Sequence, residues 1–297
     1  MNGGVERFAQ DLAKLLELDF TDIDVVPPNA NVSDSIVIGN GMVTARTSGK
    51  KIHIFHGCWI PHMRASYSLS EEGLWVIKRM ATGAYSEIKA SQGCTTVAVS
   101  QSVLEEIKIY YRKRVDHVIP NFVPKTKSKS WAFNDVEYPH ALFLGRAEKR
   151  KRPELASKIM QQINLPLIHI GSGLVNGSVG LGILERNEVA NVMRKASFLI
   201  STSAYEANSL AILEALQLGL PVVSTRVGWM KTLEQSIPEY SSLLGDVDAF
   251  DQLLDACNFA LNNNLEQFMR HKVSPFLSET IDSSIALHKW RSLLFSL

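Results

Sequence analysis

Apolar positions along the chain alternate between short continuous runs and longer stretches with a single apolar stripe. In residues 5–16 the stripe is Val5, Phe8, Ala9, Leu12, Leu15 and Leu16, which predicts an amphipathic helix. Runs at 23–26, 35–38 and 51–55 predict strands. A helix is predicted over 70–90 with Gly83 inside it, a β-branched strand over 95–100, a helix over 101–114 and a strand over 115–120. Pro124, Lys125, Lys127 and Lys129, interleaved with serines, break the periodicity and read as a linker. The alternation then restarts. Strands are expected at 141–144, 167–170, 198–201 and 221–224, and helices at 153–163, 187–196, 210–218, 248–262 and 283–295. Near-continuous apolar strands alternating with helices indicate parallel sheets covered on both faces. Two such blocks around one linker suggest two doubly wound domains with a ligand in the cleft between them.

Composition narrows the class. A length of 297 residues suffices for two ordinary α/β domains, and 45% hydrophobic with 21% charged residues is globular composition. The net charge of +1 gives no global pull toward nucleic acid. Cys58, Cys94 and Cys257 lie far apart, without zinc or disulfide spacing, so a reducing compartment is expected. The N-terminal residues lack the apolar core of a secretory signal, and no apolar run is long enough to span a membrane. These features lead to the expectation of a cytoplasmic protein. Charge is uneven, however. Residues 101–160 hold 13 Lys and Arg against 7 Asp and Glu, which reads either as solvated faces or as a surface for phosphates or anionic lipid.

Two segments carry candidate chemistry. In 201–226, Asn208 or Ser209 can cap a helix that ends at Gly219 ahead of Pro221. From Leu210 to Val223 the only polar side chains are Glu214 and Gln217. A carboxylate in so apolar a helix needs a partner. Either ribose hydroxyls or a neighbouring Lys or Arg would serve. Glu206 lies in the loop before that helix, where the amides of Asn208, Ser209 and Leu210 would face an anion. The second segment, 143–153, runs from an apolar strand into Arg146, Lys149, Arg150, Lys151 and Arg152 just before a helix. It is either a solvated basic turn or a diphosphate site, with arginine as a fork and lysine as a point charge.

Together these segments resemble the retaining, nucleotide-sugar-dependent glycosyltransferases of family 4, which have the GT-B fold. Glu206 and Glu214 match the family's Glu-x7-Glu, followed by Gly219-Leu220-Pro221-Val222-Val223. Gly145, Arg146 and Lys151 match its Gly-Arg…Lys stretch, Gly3-Gly4-Val5-Glu6-Arg7 its first loop, and Val99-Ser100-Gln101 a late strand. Val118-Ile119-Pro120-Asn121 matches the end of its first domain, and Ile170-Gly171-Ser172-Gly173 a loop of its second. The resemblance implies that Arg146 and Lys151 hold the donor diphosphate, that Glu214 binds the ribose and that Glu206 binds near the donor sugar. It further implies that Gly3, Gly4, Gly145, Gly171, Asn208, Ser209 and Leu210 line the donor. His56 would sit beside the reacting sugar, with His53 and His62 as competitors.

Three departures qualify the resemblance. The family's first strand precedes the Gly-Gly loop, yet only Met1 and Asn2 do so here, so either that strand is missing from this sequence or the sheet does without it. Ala207-Asn208-Ser209 replaces a glycine-containing stretch, and the chain is short for the family. Other signals are weaker. Gly171-Ser172-Gly173 with Gly177 has the third glycine one residue late for a dinucleotide fingerprint, and no metal spacing or Gly-x-Ser-x-Gly elbow occurs.

The expectation is therefore an α/β protein with two Rossmann-like doubly wound domains facing a central cleft. Residues 1–125 would form the acceptor side and 126–275 the nucleotide-sugar side, with 276–297 packing back on the first domain. The expected activity is transfer of a hexose from a nucleoside-diphosphate sugar to a hydroxyl acceptor, a sugar or a lipid-linked sugar. It would need no metal and no cofactor, and would serve cell-surface polysaccharide or glycolipid synthesis. The alternative is a catalytically weakened nucleotide-sugar-binding subunit of a larger complex. A third reading, a peripheral membrane scaffold, rests on Trp75, Lys78, Arg79, Tyr110, Tyr111 and Arg112-Lys113-Arg114. With it goes weak contact with an anionic membrane at the inner face of the cytoplasmic membrane. No nucleic-acid partner is expected.

Overall fold

In a computed structural model, residues 4–18, 36–40, 44, 45, 47, 49–124 and 139–297 are described. The strand expected at 23–26, Gly3 and the centre of the linker lie outside the described residues. Contacts divide the chain into two units. The first unit is Asn2–Pro124 together with Ser283–Leu297, and the second is Lys125–Asp282.

Among the described residues the sheet of the first unit has four parallel strands in chain order: β1 (Ile36–Gly39), β2 (Lys50–Phe55), β3 (Thr95–Ala98) and β4 (His117–Val118). Ile52 pairs with Thr95 and Phe55 with Ala98, which puts the apolar runs side by side in the core. On the helix Gly4–Leu16, Phe8 and Leu12 are one turn apart and both buried, as its stripe requires. That helix packs on the helix Ser283–Phe295, which buries Ala286, Trp290 and Leu293.

Two expected helices of this unit depart from simple periodicity. The stretch 70–90 is broken at Gly73 (φ 64°) into Leu69–Glu72 and Leu74–Ala90. Gly83 lies inside the second of these helices, and the position requires glycine because a Cβ there would overlap the Trp59 indole. The expected helix at 101–114 is α-helical only over Gln101–Glu106, then continues as a π-turn over Ile107–Tyr111 and stops at Arg112 (φ 51°). The wider π-turn keeps Val103, Ile107 and Tyr111, spaced by four, on one buried face. Tyr111 therefore belongs to the interior, unlike the surface role expected for it. Trp75 is exposed, with the Arg79 guanidinium 5.6 Å above its ring.

The second unit holds six parallel strands: β5 (Ala141–Leu144), β6 (Leu167–Ile170), β7 (Val179–Gly182), β8 (Phe198–Ser201), β9 (Val222–Thr225) and β10 (Leu244–Gly245). Their order is β10-β9-β8-β5-β6-β7. The chain runs outward from β5 to β7, then crosses back to β8 and runs outward the other way. The switch point lies between β5 and β8, and doubly wound sheets bind ligands at the carboxyl ends of the strands beside it. The Gly171-Ser172-Gly173 loop leads to β7 and not to a helix, so it is no dinucleotide fingerprint. Among the described residues no helix is long and apolar enough to cross a membrane.

Candidate functional site

The site is assembled from the loops that leave β5 and β8. After β5, Gly145 (φ 140°) donates its N–H to the Ile170 carbonyl at 2.9 Å, and its own carbonyl lies 2.8 Å from His169 Nε2. A Cβ on Gly171 (φ 148°) would overlap that carbonyl, so only glycine lets the two strand exits touch. The chain then forms a 3-10 turn over Lys149–Lys151, and Arg152 (φ 54°) leads into the helix Pro153–Gln162. Proline at its first position suits a helix start.

This geometry sorts four of the five cations. Arg146 points outward with its side chain 70% exposed, 3.8 Å from Glu148. Arg150 and Lys151 turn inward and are only 12% and 17% exposed. Both meet Glu206. Arg152 turns toward Asp248 at 3.2 Å.

The loop after β8 is fastened to the same turn. Thr202 Oγ1 donates to the Arg152 carbonyl at 2.8 Å, and the Ala204 N–H donates to the Arg150 carbonyl at 2.8 Å. From below, Thr225 Oγ1 donates to the Ser203 carbonyl at 2.6 Å and the Trp229 N–H to the Ala207 carbonyl at 3.0 Å. Gly228 (φ 54°) permits that approach, since a Cβ there would overlap the carbonyl oxygens of Glu206 and Ala207. Glu206 is thereby fixed and buried. Its Oε1 accepts from Lys151 Nζ, from Arg150 Nη1 at 3.2 Å and from Ser203 Oγ at 2.8 Å. Burial by itself pushes the carboxyl up. Lys151 and Arg150 beside it, with the hydrogen bonds from Lys151 and Ser203, outweigh burial and hold it below the usual carboxylate range.

Next comes the helix Leu210–Gln217. Ser209 is its N-cap residue, in extended conformation and without a side-chain cap hydrogen bond. Asn208 and Leu210 on either side are buried. Lys151, Ser203 and Ser209 line one small cavity between the ends of β5 and β8. This places a cation, a hydroxyl and a helix N-terminus around one space, an arrangement suited to an anion. Glu214 is buried one turn into the helix and pairs with Arg186 at 3.0 Å, so the neighbouring-arginine alternative is the arrangement present.

The structure thus brings Gly145, Lys151, Gly171, Glu206, Asn208, Ser209 and Leu210 to the loops at the switch point, with Glu214 behind them. It adds Ser203 and Arg186, which the sequence does not single out, and turns Arg150 inward together with Lys151. Arg150 was one cation in a run, and nothing in the run says which members turn inward. Gly4 begins the first helix of the other unit. His56 follows β2 in that unit, with its ring edge-on to Phe8 at 5.2 Å. Burial, with a smaller contribution from neighbouring His53, lowers its pKa to about 4. His53 is a core residue whose Nδ1 meets Thr44 Oγ1 at 2.8 Å. His62 stacks on Trp59 at 5.9 Å. Among the described residues no group of three His, Cys, Asp or Glu side chains is placed to hold a metal ion.

With this geometry in hand, comparison with known proteins is informative. The family described as Glycosyl transferases group 1 matches residues 108–263, which include both loops of the site. The chain belongs to the group 1 glycosyl transferases. The uncharacterized glycosyltransferase MJ1178 of Methanocaldococcus jannaschii is 24% identical over 170 residues, 52% of this chain and 48% of that protein. One of the subunits of human phosphatidylinositol N-acetylglucosaminyltransferase is 50% identical over 48 residues, 16% of this chain and 10% of that protein. The matched region thus spans about half the length of the first of these relatives and a tenth of the second.

Three solved structures share the architecture of this group 1 member. WaaG superposes with a TM-score of 0.70 at 12% identity, covering 99% of this chain and 96% of that one. Sucrose-phosphate synthase from Thermosynechococcus elongatus gives 0.63 at 18%, covering 88% and 74%. Anabaena HepE gives 0.63 at 16%, covering 84% and 73%. At these identities the likeness is one of fold, and that fold is GT-B.

Proposed function

We propose that this chain is a retaining glycosyltransferase that moves a hexose from a nucleoside-diphosphate sugar to a hydroxyl acceptor. The observation that carries the reading is the ionised Glu206 held by Lys151 beside the N-terminus of the helix Leu210–Gln217. Lys151 and Arg146 would receive the donor diphosphate, Glu206 the transferred sugar and Glu214 the ribose. As the sugar–phosphate bond breaks, negative charge grows on the leaving diphosphate and the anomeric carbon becomes oxocarbenium-like. Fixed cations at the phosphate are then worth more in the transition state than in the ground state. The acceptor oxygen attacks from the face that the diphosphate leaves, and the hydroxyl proton passes to the departing diphosphate oxygen. These cations take the part a metal plays elsewhere, so no metal or cofactor is invoked. His56, kept neutral by burial, would act as a hydrogen-bonding group and not as a charge.

The HepE structures contain UDP-glucose and UDP, and WaaG is involved in lipopolysaccharide biosynthesis. These names support a nucleotide-sugar donor and a role in cell-surface polysaccharide or glycolipid synthesis. A cytoplasmic enzyme with weak contact to anionic lipid through the basic residues of 108–114, together with Trp75, Lys78 and Arg79, is part of the same proposal. The Arg186–Glu214 pair favours a second reading, a weakened nucleotide-sugar-binding subunit, because it already occupies the carboxylate assigned to the ribose.

A panel of nucleotide sugars assayed for diphosphate release, with thermal shift by UDP, GDP and ADP, tests both. The transferase reading expects turnover of one donor and a rise in Tm with its nucleotide. A nucleotide shift without turnover supports the second reading. Neither response overturns both.

A further inference from the structure

Lys151 and Arg150 both reach Glu206 Oε1, but they are placed differently. Lys151 lines the cavity shared with Ser203 and Ser209, on a flexible stem that can turn toward a ligand. Arg150 is set behind it. One arm, Nη1, donates to the Tyr205 carbonyl at 2.7 Å and to Glu206 at 3.2 Å. The other arm, Nη2, donates to Glu148 at 2.6 Å. Its own carbonyl accepts from the Ala204 N–H at 2.8 Å, so main chain and side chain join the same two loops. A planar guanidinium meets three acceptors on three residues from two separate nitrogens, a spread that the compact ammonium of lysine does not match.

We propose that Arg150 is the positioning residue of this site: it ties the turn after β5 to the loop after β8. It thereby keeps Glu206 in place and charged when Lys151 turns to an anionic donor. The inference rests on the donor-site reading given above. With Lys151 alone, contact with a diphosphate oxygen would strip Glu206 of its only cation. With Arg150 behind it, the carboxylate retains a charged hydrogen-bond donor throughout. The charged groups acting on Glu206 are Lys151 and Arg150, and Glu148 lies on the far arm of Arg150.

The test compares wild type with Arg150→Met and Arg150→Lys. The titration of the Glu206 carboxyl is followed by NMR in protein carrying isotope-labelled glutamate, the signal being assigned by its loss in Glu206→Gln. Turnover of the donor found by the panel is measured in parallel. Arg150→Met is expected to move the titration upward and to lower kcat at least about tenfold. The donor KM should change by less than about threefold, as for an interaction that matters in the transition state. Arg150→Lys should restore most of the titration and less of kcat.

A wild-type titration and wild-type kcat in Arg150→Met, with only a lower Tm, would overturn the proposal. Should Arg150→Met fail to fold, Arg150→Gln keeps a neutral donor without the charge and should move both readouts the same way to a smaller extent. Unchanged values there overturn it equally. If wild type turns over no nucleotide sugar, the donor-site reading fails and the titration alone decides the role of Arg150.

Discussion

In the second unit Glu206 meets Lys151, Arg150 and Ser203, whereas in the first unit Glu87 meets a phenol and a main-chain N–H. Tyr111 Oη donates to Glu87 Oε2 and accepts from the Trp59 N–H at 2.9 Å. Burial pushes both carboxyls up. At Glu206 the two cations reverse the direction, while at Glu87 the neutral donors only partly offset burial and the carboxyl stays raised. The same side chain is thus an anion in one unit and is drawn toward its acid form in the other. The difference teaches that withdrawal from water alone does not mark a functional carboxylate. What it is paired with separates the two, and the cations at a switch point make Glu206 the candidate for function.

The comparison breaks most sharply on turnover. Glu206→Gln keeps shape and hydrogen bonding but removes the charge. It should lower kcat on the order of a hundredfold if Glu206 is a preorganised group of the transition state. Glu87→Gln should leave kcat within about twofold. Steady-state kinetics on the two variants check this, and equal losses would erase the distinction.

Backbone support gives the next effect. Gly228→Ala forces a left-handed residue and a clash with the Glu206 and Ala207 carbonyls, and should cost about 1–3 kcal/mol of stability along with turnover. Gly73→Ala is equally left-handed but meets open space, so it should cost about 1 kcal/mol and spare turnover. Denaturant melts with paired assays separate the two.

The smallest effect is in the pH dependence of stability. Glu206 is depressed in the folded state. Its contribution is present above the unfolded carboxylate value of about 4.3 and is lost as pH falls through the folded value. Glu87 is raised, so its contribution is full below the unfolded value and is lost as pH rises through the folded one. Glu206→Gln should therefore lose less Tm than wild type on acidification below about pH 4. Glu87→Gln should gain on wild type as pH climbs toward neutrality. Calorimetric Tm curves across that range decide, and parallel curves for all three proteins would contradict both directions.

The second sheet was legible because its strands are apolar runs between helices with clear starts. The expected strands at 141–144, 167–170 and 198–201 coincide with β5, β6 and β8. β7 was not, because Val179-Gly180-Leu181-Gly182 is exposed throughout and offers glycine at every second position. The π-turn at Ile107–Tyr111 was invisible because sequence spacing does not separate three and a half residues per turn from a wider winding. At the site, Glu206 was legible as a carboxylate in the loop before a helix start, whereas Lys151 was singled out from its run of cations only by the resemblance to family 4. Arg150 and Arg186 were not, because the inward rotation of a cation is set by the turn at Lys149–Lys151 and by the packing of the helix Arg186–Lys195. Neither leaves a periodic trace.

The central claim is that Lys151 is a diphosphate ligand held in waiting by Glu206. Calorimetric affinity for the cognate nucleoside diphosphate in Lys151→Met and Glu206→Gln tests it most directly. Lys151→Met should lose a charge-assisted contact of about 1.5–3 kcal/mol, on the order of tenfold to a hundredfold in Kd. Glu206→Gln, which releases Lys151 from its internal partner, should bind as tightly as wild type or more tightly. Unchanged affinity in Lys151→Met, or a loss in Glu206→Gln as large as that in Lys151→Met, would contradict the account.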